Sequence, residues 1–416
     1  MRVIVIGAGV VGVTTAYELF KDGHEVVVVE RHQQPATETS FGNAGLIAPG
    51  HAYSWATPAA PKILIKSLFK KNQALRFKPR WELDLYRWSL KFLRNCTTER
   101  GNASTRNKAR LSVYSRERLH AIAADTSVPF ANVRRGLIYC YREEAALAAG
   151  VAKMKILAES GQRLEAIDPA RVVELEPALS SARDELAGAI YCPDDESGDS
   201  YQFTNNLANW LAKGGVEFRF DTEVTGFHTA DGAIRQILTD QGPVVGDCYV
   251  LAVGAAAARL GRKLKLNLSV YPIKGYSVTM PVGPSHRPPL LGGVDEKNLV
   301  AWARFDDRLR LTSTAEFAGY DTGHRPSDFE AMFLSARNLF PEACDWSQPF
   351  YWAGLRPMTP EGSPILGRCH IKNLWLNAGH GHMGWTMASG SARIVADILG
   401  NKEPAIDTTG LTLTSR

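Results

Sequence analysis

The apolar run Val3-Ile4-Val5-Ile6 is followed by Gly7-x-Gly9-x-x-Gly12 and then by a second apolar run, Val26 to Val29, closed by Glu30. Short continuous runs of β-branched residues predict strands buried on both faces, as in a parallel sheet. The opening therefore reads as strand, tight glycine turn, helix, strand and acid. The spacing of Leu111, Tyr114, Leu119 and Ile122 predicts a helix over about 106–125. Residues 136–141 alternate as a strand, 145–160 read as a helix, 187–191 as a strand, 194–200 as an acidic loop and 203–213 as a helix. Residues 216–220 and 249–253 read as further strands of the first sheet. Residues 269–280, 300–304 and 309–314 read as antiparallel strands, with a turn at Asp306-Asp307 between the last two. The last pattern is one strand and one helix. The expected fold class is α/β: a Rossmann-like nucleotide-binding domain with an interleaved α+β domain built on an antiparallel sheet. Residues 1–50, part of 130–230, 245–260 and 350–416 are assigned to the first domain. Residues 261–349 with parts of 130–200 are assigned to the second, and 51–129 form a basic helical segment.

The length of 416 residues suits two such domains, and 45% hydrophobic with 22% charged residues allows a large core and excludes a disordered chain. No apolar run reaches the roughly 18 residues of a membrane span. The first apolar run is itself the phosphate-binding strand, so no signal peptide is expected. Cys96, Cys140, Cys192, Cys248, Cys344 and Cys369 form no C-x-x-C pair, which argues for reduced cytoplasmic thiols rather than a zinc or iron–sulfur site. Charge changes the picture more. Between Pro61 and Asn95 there are ten cations against two anions, while the whole chain is net +5. Ile63, Leu64, Leu68 and Phe69 fit one helix face there, and Trp81, Leu85, Trp88 and Phe92 another. Two readings stay open: surface helices whose apolar faces complete the core, or a peripheral anchor on an anionic membrane through residues 61–95. No nucleic-acid module accompanies the charge, so no nucleic-acid partner is expected.

The glycine turn has a definite chemistry. Gly7 permits the sharp turn, Gly9 lets the backbone approach a pyrophosphate, and Gly12 lets helix and strand pack closely. Val10 and Val11 open the helix whose free amides face the phosphates. Glu30, 18 positions after Gly12, can accept from a ribose diol. Arg356 stands in Gly354-Leu-Arg-Pro357, a stiff setting from which a guanidinium either grips a carboxylate through two parallel bonds or pairs with a structural acid. A second strand, glycine turn and helix runs from Leu374 through Gly379-His-Gly-His-Met-Gly-Trp-Thr386. Helix-terminal amides there suit the negative charge that a reduced flavin carries. His380 and His382, two apart with no acid beside them, do not make a metal site.

These segments carry a resemblance to the D-amino-acid oxidase superfamily, and within it to the FAD-bearing small subunits of bacterial D-amino-acid dehydrogenases. The carrying stretches are Gly7–Gly12, Glu38-Thr-Ser-Phe-Gly-Asn-Ala-Gly45 with Pro49-Gly50, Tyr271-Pro-Ile-Lys-Gly-Tyr-Ser277, Arg304-Phe-Asp306, Gly354–Pro360 and Gly379–Met387. The resemblance implies FAD as cofactor, held by Gly7, Gly9, Val10, Val11, Gly12, Glu30 and Arg31. Ser40, Asn43, Ala44, Gly45 and Leu46 would line the pyrophosphate and ring. Val224 would meet the adenine through its backbone and Gly254 would close the ribityl side. Gly381, His382, Met383, Gly384, Trp385 and Thr386 would cover the pyrimidine end. It implies Arg356 as the carboxylate-binding residue, with His51, Tyr53, Tyr271 and His382 at the substrate. The implied activity is oxidative deamination of D-amino acids to 2-oxo acids and ammonia, with hydride passing from Cα to flavin N5. Electrons would go on to a quinone or another respiratory acceptor, and the protein would sit in the cytoplasm, at the inner face of the membrane where the basic segment engages it. The chain departs from the pattern at His382-Met383: glycine-oxidase relatives commonly carry arginine at the first position, and the bacterial dehydrogenases more often Thr-Leu. A flavin amine oxidase for glycine, sarcosine or D-proline derivatives, and a non-catalytic FAD-binding subunit, therefore stay open as alternatives.

Overall fold

The computed structural model describes residues 1–67, 75–78 and 80–413. The two apolar runs become the strands Arg2–Ile6 and Glu25–Val29, which lie side by side in parallel at the middle of a six-stranded sheet. Its order is Ile365–Arg368, Leu374–Ala378, Cys248–Leu251, Arg2–Ile6, Glu25–Val29, Glu217–Arg219, and only the first pair is antiparallel. Alternation along Arg2–Ile6 explains the layers. Val3 and Val5 pack with the helices Val10–Lys21, Thr98–Thr126, Ser200–Lys213 and Gly384–Leu399. Ile4 and Ile6 pack on the other face against a three-stranded meander, Val224–Ala230, Ala233–Thr239 and Gly242–Val244. That meander is absent from the sequence reading. Its one local mark is Asp231-Gly232, where both residues take positive φ (54° and 75°), the hairpin turn that an Asp-Gly pair favours.

A nine-stranded sheet forms the second layer system. Tyr271–Pro281, Val300–Phe305 and Arg308–Phe317 are antiparallel neighbours, as expected, with Asp306 at φ 53° in the turn. One face packs Tyr276, Val278, Trp302 and Leu311 against the helix Glu330–Leu339. The other faces the first domain across a deep cavity. Three expectations need correction. Phe350–Met358 belongs to this sheet and not to the nucleotide-binding domain, because it pairs along its whole length with Tyr271–Thr279. The helix expected at 106–125 extends over Thr98–Thr126, its start set by Thr97, whose hydroxyl accepts from Arg100 N.

The third correction concerns the basic segment. Helices cover Ala60–Ser67 and Leu83–Asn95, but Leu75–Phe77 is a strand paired in parallel with Ala315–Phe317. Leu85, Trp88 and Phe92 are buried against Tyr271 and Phe317, so that stripe completes the core. Trp81, read on the same stripe, precedes the helix and is 99% exposed. Leu68, Phe69, Lys70 and Lys71 lie outside the described residues. A different set of apolar side chains, Ile63, Ile65, Leu83, Tyr86, Leu90 and Leu93, is exposed beside Arg87, Lys91 and Arg94. No helix among the described residues is long and apolar enough to cross a membrane.

Candidate active site

One cavity of about 1120 Å³ runs from the glycine turn to the inner face of the nine-stranded sheet. At the turn Gly7 adopts φ 103°, and a Cβ on Gly12 would stand 1.8 Å from Gly7 O, so the helix can start this close to the strand only with glycine there. Val10 N donates to Ser40 Oγ, Ala8 N to Glu30 Oε2 at 2.8 Å and His32 N to Glu30 Oε1. Gly9 caps the helix with no side-chain acceptor and no acid in the first turn, which leaves the N-terminal end open to an anion. Glu30, Arg31, Thr222 and Val224 line this end of the cavity. An elongated cavity with a backbone amide cradle and a carboxylate beside it fits a dinucleotide, and FAD is the ligand these residues suit.

The loop that follows is held from beneath. Arg310 is buried and donates to the carbonyls of Phe41 and Asn43, and burial pulls its guanidinium down to about 10. Gly45 N donates to Asn43 Oδ1, and Gly45 packs so closely on Phe305 that a Cβ would meet its ring at 2.2 Å. Ser40, Asn43, Ala44 and Leu46 line the cavity, whereas Gly12 and Gly45 serve it through packing. Opposite lies the second glycine turn, with Gly379 and Gly381 at positive φ before the helix Gly384–Leu399. Thr386 Oγ1 accepts from Ala48 N and donates to Leu46 O, which ties this helix start to the loop. Gly381, His382, Met383, Gly384, Trp385, Thr386 and Gly254 all line the cavity. His380 lines it too, but its Nε2 is taken up by Ser391 Oγ at 2.9 Å, and burial pulls it down to about 3. Among the described residues no group of His, Cys, Asp and Glu could hold a metal.

Arg356 projects from the strand Phe350–Met358, in register with Ile273. Its Nη1 donates to Thr314 O at 2.7 Å, and Lys274 O lies at 3.4 Å. Pairing shifts from Lys274–Glu316 to Tyr276–Ser313, so Thr314 sits in a bulge, at φ 66°, with its carbonyl turned to the guanidinium. Among the described residues no carboxylate pairs with Arg356, and burial alone pulls it down to about 10. On the cavity wall this half-buried guanidinium is satisfied only by carbonyls.

Around it stand His382, whose ring stacks on Trp55 at 4.8 Å, and the loop bearing His51 and Tyr53. His382 is held well below its usual range by burial first and then by Lys108, His51 and Arg356. His51 Nε2 meets Glu296 Oε1 at 2.7 Å, and its ring lies flat on Tyr139 at 4.6 Å. Tyr139 in turn donates to Asp195, which also accepts from Gly50 N; burial pushes that carboxyl up to about 7. Tyr271 is the exception among the expected site residues. It does not line the cavity; its ring packs with Trp88 and Phe317, and its hydroxyl donates to Glu82. It shares the sheet face of Arg356, two residues from the Ile273 that pairs with it, but Trp88 and Phe92 of the helix Leu83–Asn95 cover it there. Tyr53, Tyr141 and Tyr320 are the tyrosines on the wall together with Tyr276, and Trp55 and Glu296 join them. Of these only Tyr53 was singled out from the sequence; Tyr276 lay unremarked within the Tyr271–Ser277 stretch, and the others carry no motif.

A cradle suited to a dinucleotide, joined by one cavity to the guanidinium of Arg356, fits an oxidoreductase that works with a bound flavin. The chain belongs to the family described as FAD dependent oxidoreductase, whose profile matches residues 2–398. It is 44% identical over 412 residues, 99% of each chain, to "D-amino acid dehydrogenase 2" of Mesorhizobium japonicum. It is 41% identical to a "D-amino acid dehydrogenase" of Paramagnetospirillum magneticum over 99% of this chain and 98% of the relative. Among solved structures, glycine oxidase from Geobacillus kaustophilus superposes with a TM-score of 0.77 at 24% identity, covering 100% and 99% of the two chains. L-proline dehydrogenase from P. horikoshii does so with 0.74 at 18% identity, covering 97% and 94%. At these identities the solved structures share the fold.

Proposed function

We propose that the protein is a dehydrogenase of D-amino acids, releasing 2-oxo acids and ammonia. The observation that carries this is Arg356, a half-buried guanidinium without an acid partner among the described residues, which opens into the same cavity as the two glycine turns. The names of the full-length relatives support the substrate class. FAD bound in the cavity supplies the acceptor for the hydride that leaves Cα. Arg356 fixes the substrate carboxylate, which makes the approach of Cα effectively unimolecular. His382, Trp55, His51 and Tyr53 close the site from the other walls and exclude water. Burial keeps His382 uncharged, so its ring sets no second cation beside Arg356 against the substrate ammonium. The resulting imino acid hydrolyses once released.

Anaerobic mixing of the holoenzyme with separate D- and L-amino acids, followed at the oxidised flavin absorbance, tests this. Bleaching by several D-amino acids and not by their L-forms is the expected result. Bleaching only by glycine, sarcosine or cyclic amines would move the substrate class, and no bleaching at all would favour a non-catalytic FAD-binding subunit. Slow recovery of colour in air would separate a dehydrogenase from an oxidase.

The acceptor we propose is a quinone or another respiratory carrier met at an anionic membrane surface. The support is the exposed apolar set from Ile63 to Leu93, flanked by Arg87, Lys91 and Arg94, at the place where Ile63, Leu64 and Phe92 also line the cavity.

A further inference from the structure

Of the histidines around Arg356 and the second glycine turn, His51 alone has an acid partner among the described residues: its Nε2 meets Glu296 Oε1 at 2.7 Å. His382 stacks on Trp55, and His380 is taken up by Ser391. A carboxylate can only accept, so Nε2 carries the ring hydrogen and Nδ1 keeps a lone pair. Nδ1 has no hydrogen-bond partner among the described residues, and the ring lines the cavity wall.

The ring is fixed from several sides. Its face lies on Tyr139 at 4.6 Å and 8° from parallel, and Tyr53 meets it edge-on at 5.5 Å. Tyr139 is pinned through its hydroxyl to Asp195, whose carboxyl holds Gly50 N, the amide next to His51. His51 N donates to Ala48 O, and Ala48 N donates to Thr386 Oγ1. One tight turn of chain therefore separates His51 from the helix start at the second glycine turn. The charged and titratable groups facing the ring are Glu296 from the turn after the strand Gly292–Asp295, Tyr139 from the strand Leu137–Tyr141, Asp195 beyond it, Tyr53 from the same loop and His382 from the second glycine turn. Among them only Glu296 meets a ring nitrogen. A proton taken at Nδ1 leaves a cation held against a carboxylate and the π face of Tyr139, and both suit it.

We propose that His51 is the catalytic base of this site and Glu296 its positioning residue: Nδ1 takes a proton from the ammonium of the bound amino acid, while Glu296 holds the tautomer and faces the charge that results. In this step an N–H bond of the substrate breaks and an Nδ1–H bond forms. The electron pair left on nitrogen assists departure of hydride from Cα. The imidazolium, on a partly exposed side chain, returns the proton to water as the product leaves. The proposal rests on the amine-oxidising reading of the cavity.

The test is the second-order rate constant for anaerobic flavin bleaching by D-alanine, or by the fastest of the D-amino acids above, followed against pH. It is measured in the wild-type holoenzyme, His51→Asn, Glu296→Gln and the double variant, with flavin absorbance per polypeptide as the check on folding. In the wild type the rate constant should level off well below the pH at which the free amino acid loses its ammonium proton. In His51→Asn it should be at least about 100-fold lower near neutral pH and climb about tenfold per pH unit until the amine loses its proton unaided. A residue that only fills the wall would lower the rate by one factor at every pH, and that result overturns the proposal. Glu296→Gln should lower the rate about tenfold with His51 present and no further in the His51→Asn background. Equal losses in both backgrounds overturn the role of Glu296. Should His51→Asn not fold, the wild type decides: a rate constant that already climbs with the free amine leaves no proton for His51 to take. Wild-type flavin that every D-amino acid leaves oxidised removes the activity and the proposal together, whereas bleaching with an unmoved pH profile in His51→Asn removes the proposal alone.

Discussion

The guanidinium of Arg356 lies against the α-carbon of Gly275, so closely that a Cβ there would stand 2.4 Å from both Cζ and Nη1. Gly275 pairs in register with Gly354 on the neighbouring strand, two residues before Arg356. The missing side chain is what allows a charged group to lie on the sheet surface and still reach Thr314 O. Gly275→Ala should therefore displace Arg356 and raise KM for D-alanine about tenfold or more, with FAD content unchanged. An Ala variant of unaltered KM would show that the guanidinium does not depend on this approach.

Arg356→Leu should lower kcat/KM by at least about 100-fold, since truncating one partner of a buried charge pair costs roughly 2–5 kcal/mol. Both KM and kcat should change, because orientation is lost along with binding. Arg356→Lys should recover only part of the loss, because one ammonium cannot make two parallel bonds. Steady-state kinetics of the three proteins measure this directly.

Gly12→Ala should abolish the yellow holoenzyme. The added Cβ would overlap Gly7 O at 1.8 Å and force the helix off the strand, opening the phosphate cradle. Flavin absorbance per polypeptide after purification is the readout, and a stoichiometric holoprotein would refute the packing argument.

Asp195 gives a pH dependence with a definite sign. Burial raises its folded-state value to about 7, above the ordinary carboxylate range, so the folded chain holds a proton that the unfolded chain has lost. Its contribution to stability is full below about pH 4 and falls as pH rises to 7. Asp195→Asn keeps an acceptor for Gly50 N and removes the titration. The variant should melt higher than the wild type at pH 7.5, and the difference should shrink toward pH 4.

Trp81→Ser combined with Leu83→Ser should reduce sedimentation with phosphatidylglycerol vesicles while leaving D-amino-acid-dependent flavin bleaching intact. Both side chains are exposed and touch neither glycine turn. Replacing Arg87, Lys91 and Arg94 by Gln should have the same effect and make residual binding less sensitive to salt. Unchanged sedimentation in both variants would remove the membrane surface from the proposal.

Much of the protein was determined by the sequence alone. The parallel strands, the glycine turn at Gly7–Gly12 and the second turn at Gly379–Thr386 were legible because their geometry is local. A β-branched run buried on both faces, a positive φ and a helix start each leave a mark within a few residues. The family followed from those marks in order along the chain. Tertiary structure decided the rest. Whether Arg356 faced a structural acid or an open cavity depended on Thr314 and Gly275, which the sheet brings to it from distant positions. Which face of the 83–95 helix was core depended on Tyr271 and Phe317, and the same packing removed Tyr271 from the site. Glu296 and Trp55 carry no motif. Their roles come from sidedness and burial, which period and spacing narrow down but which only contacts across the fold can assign.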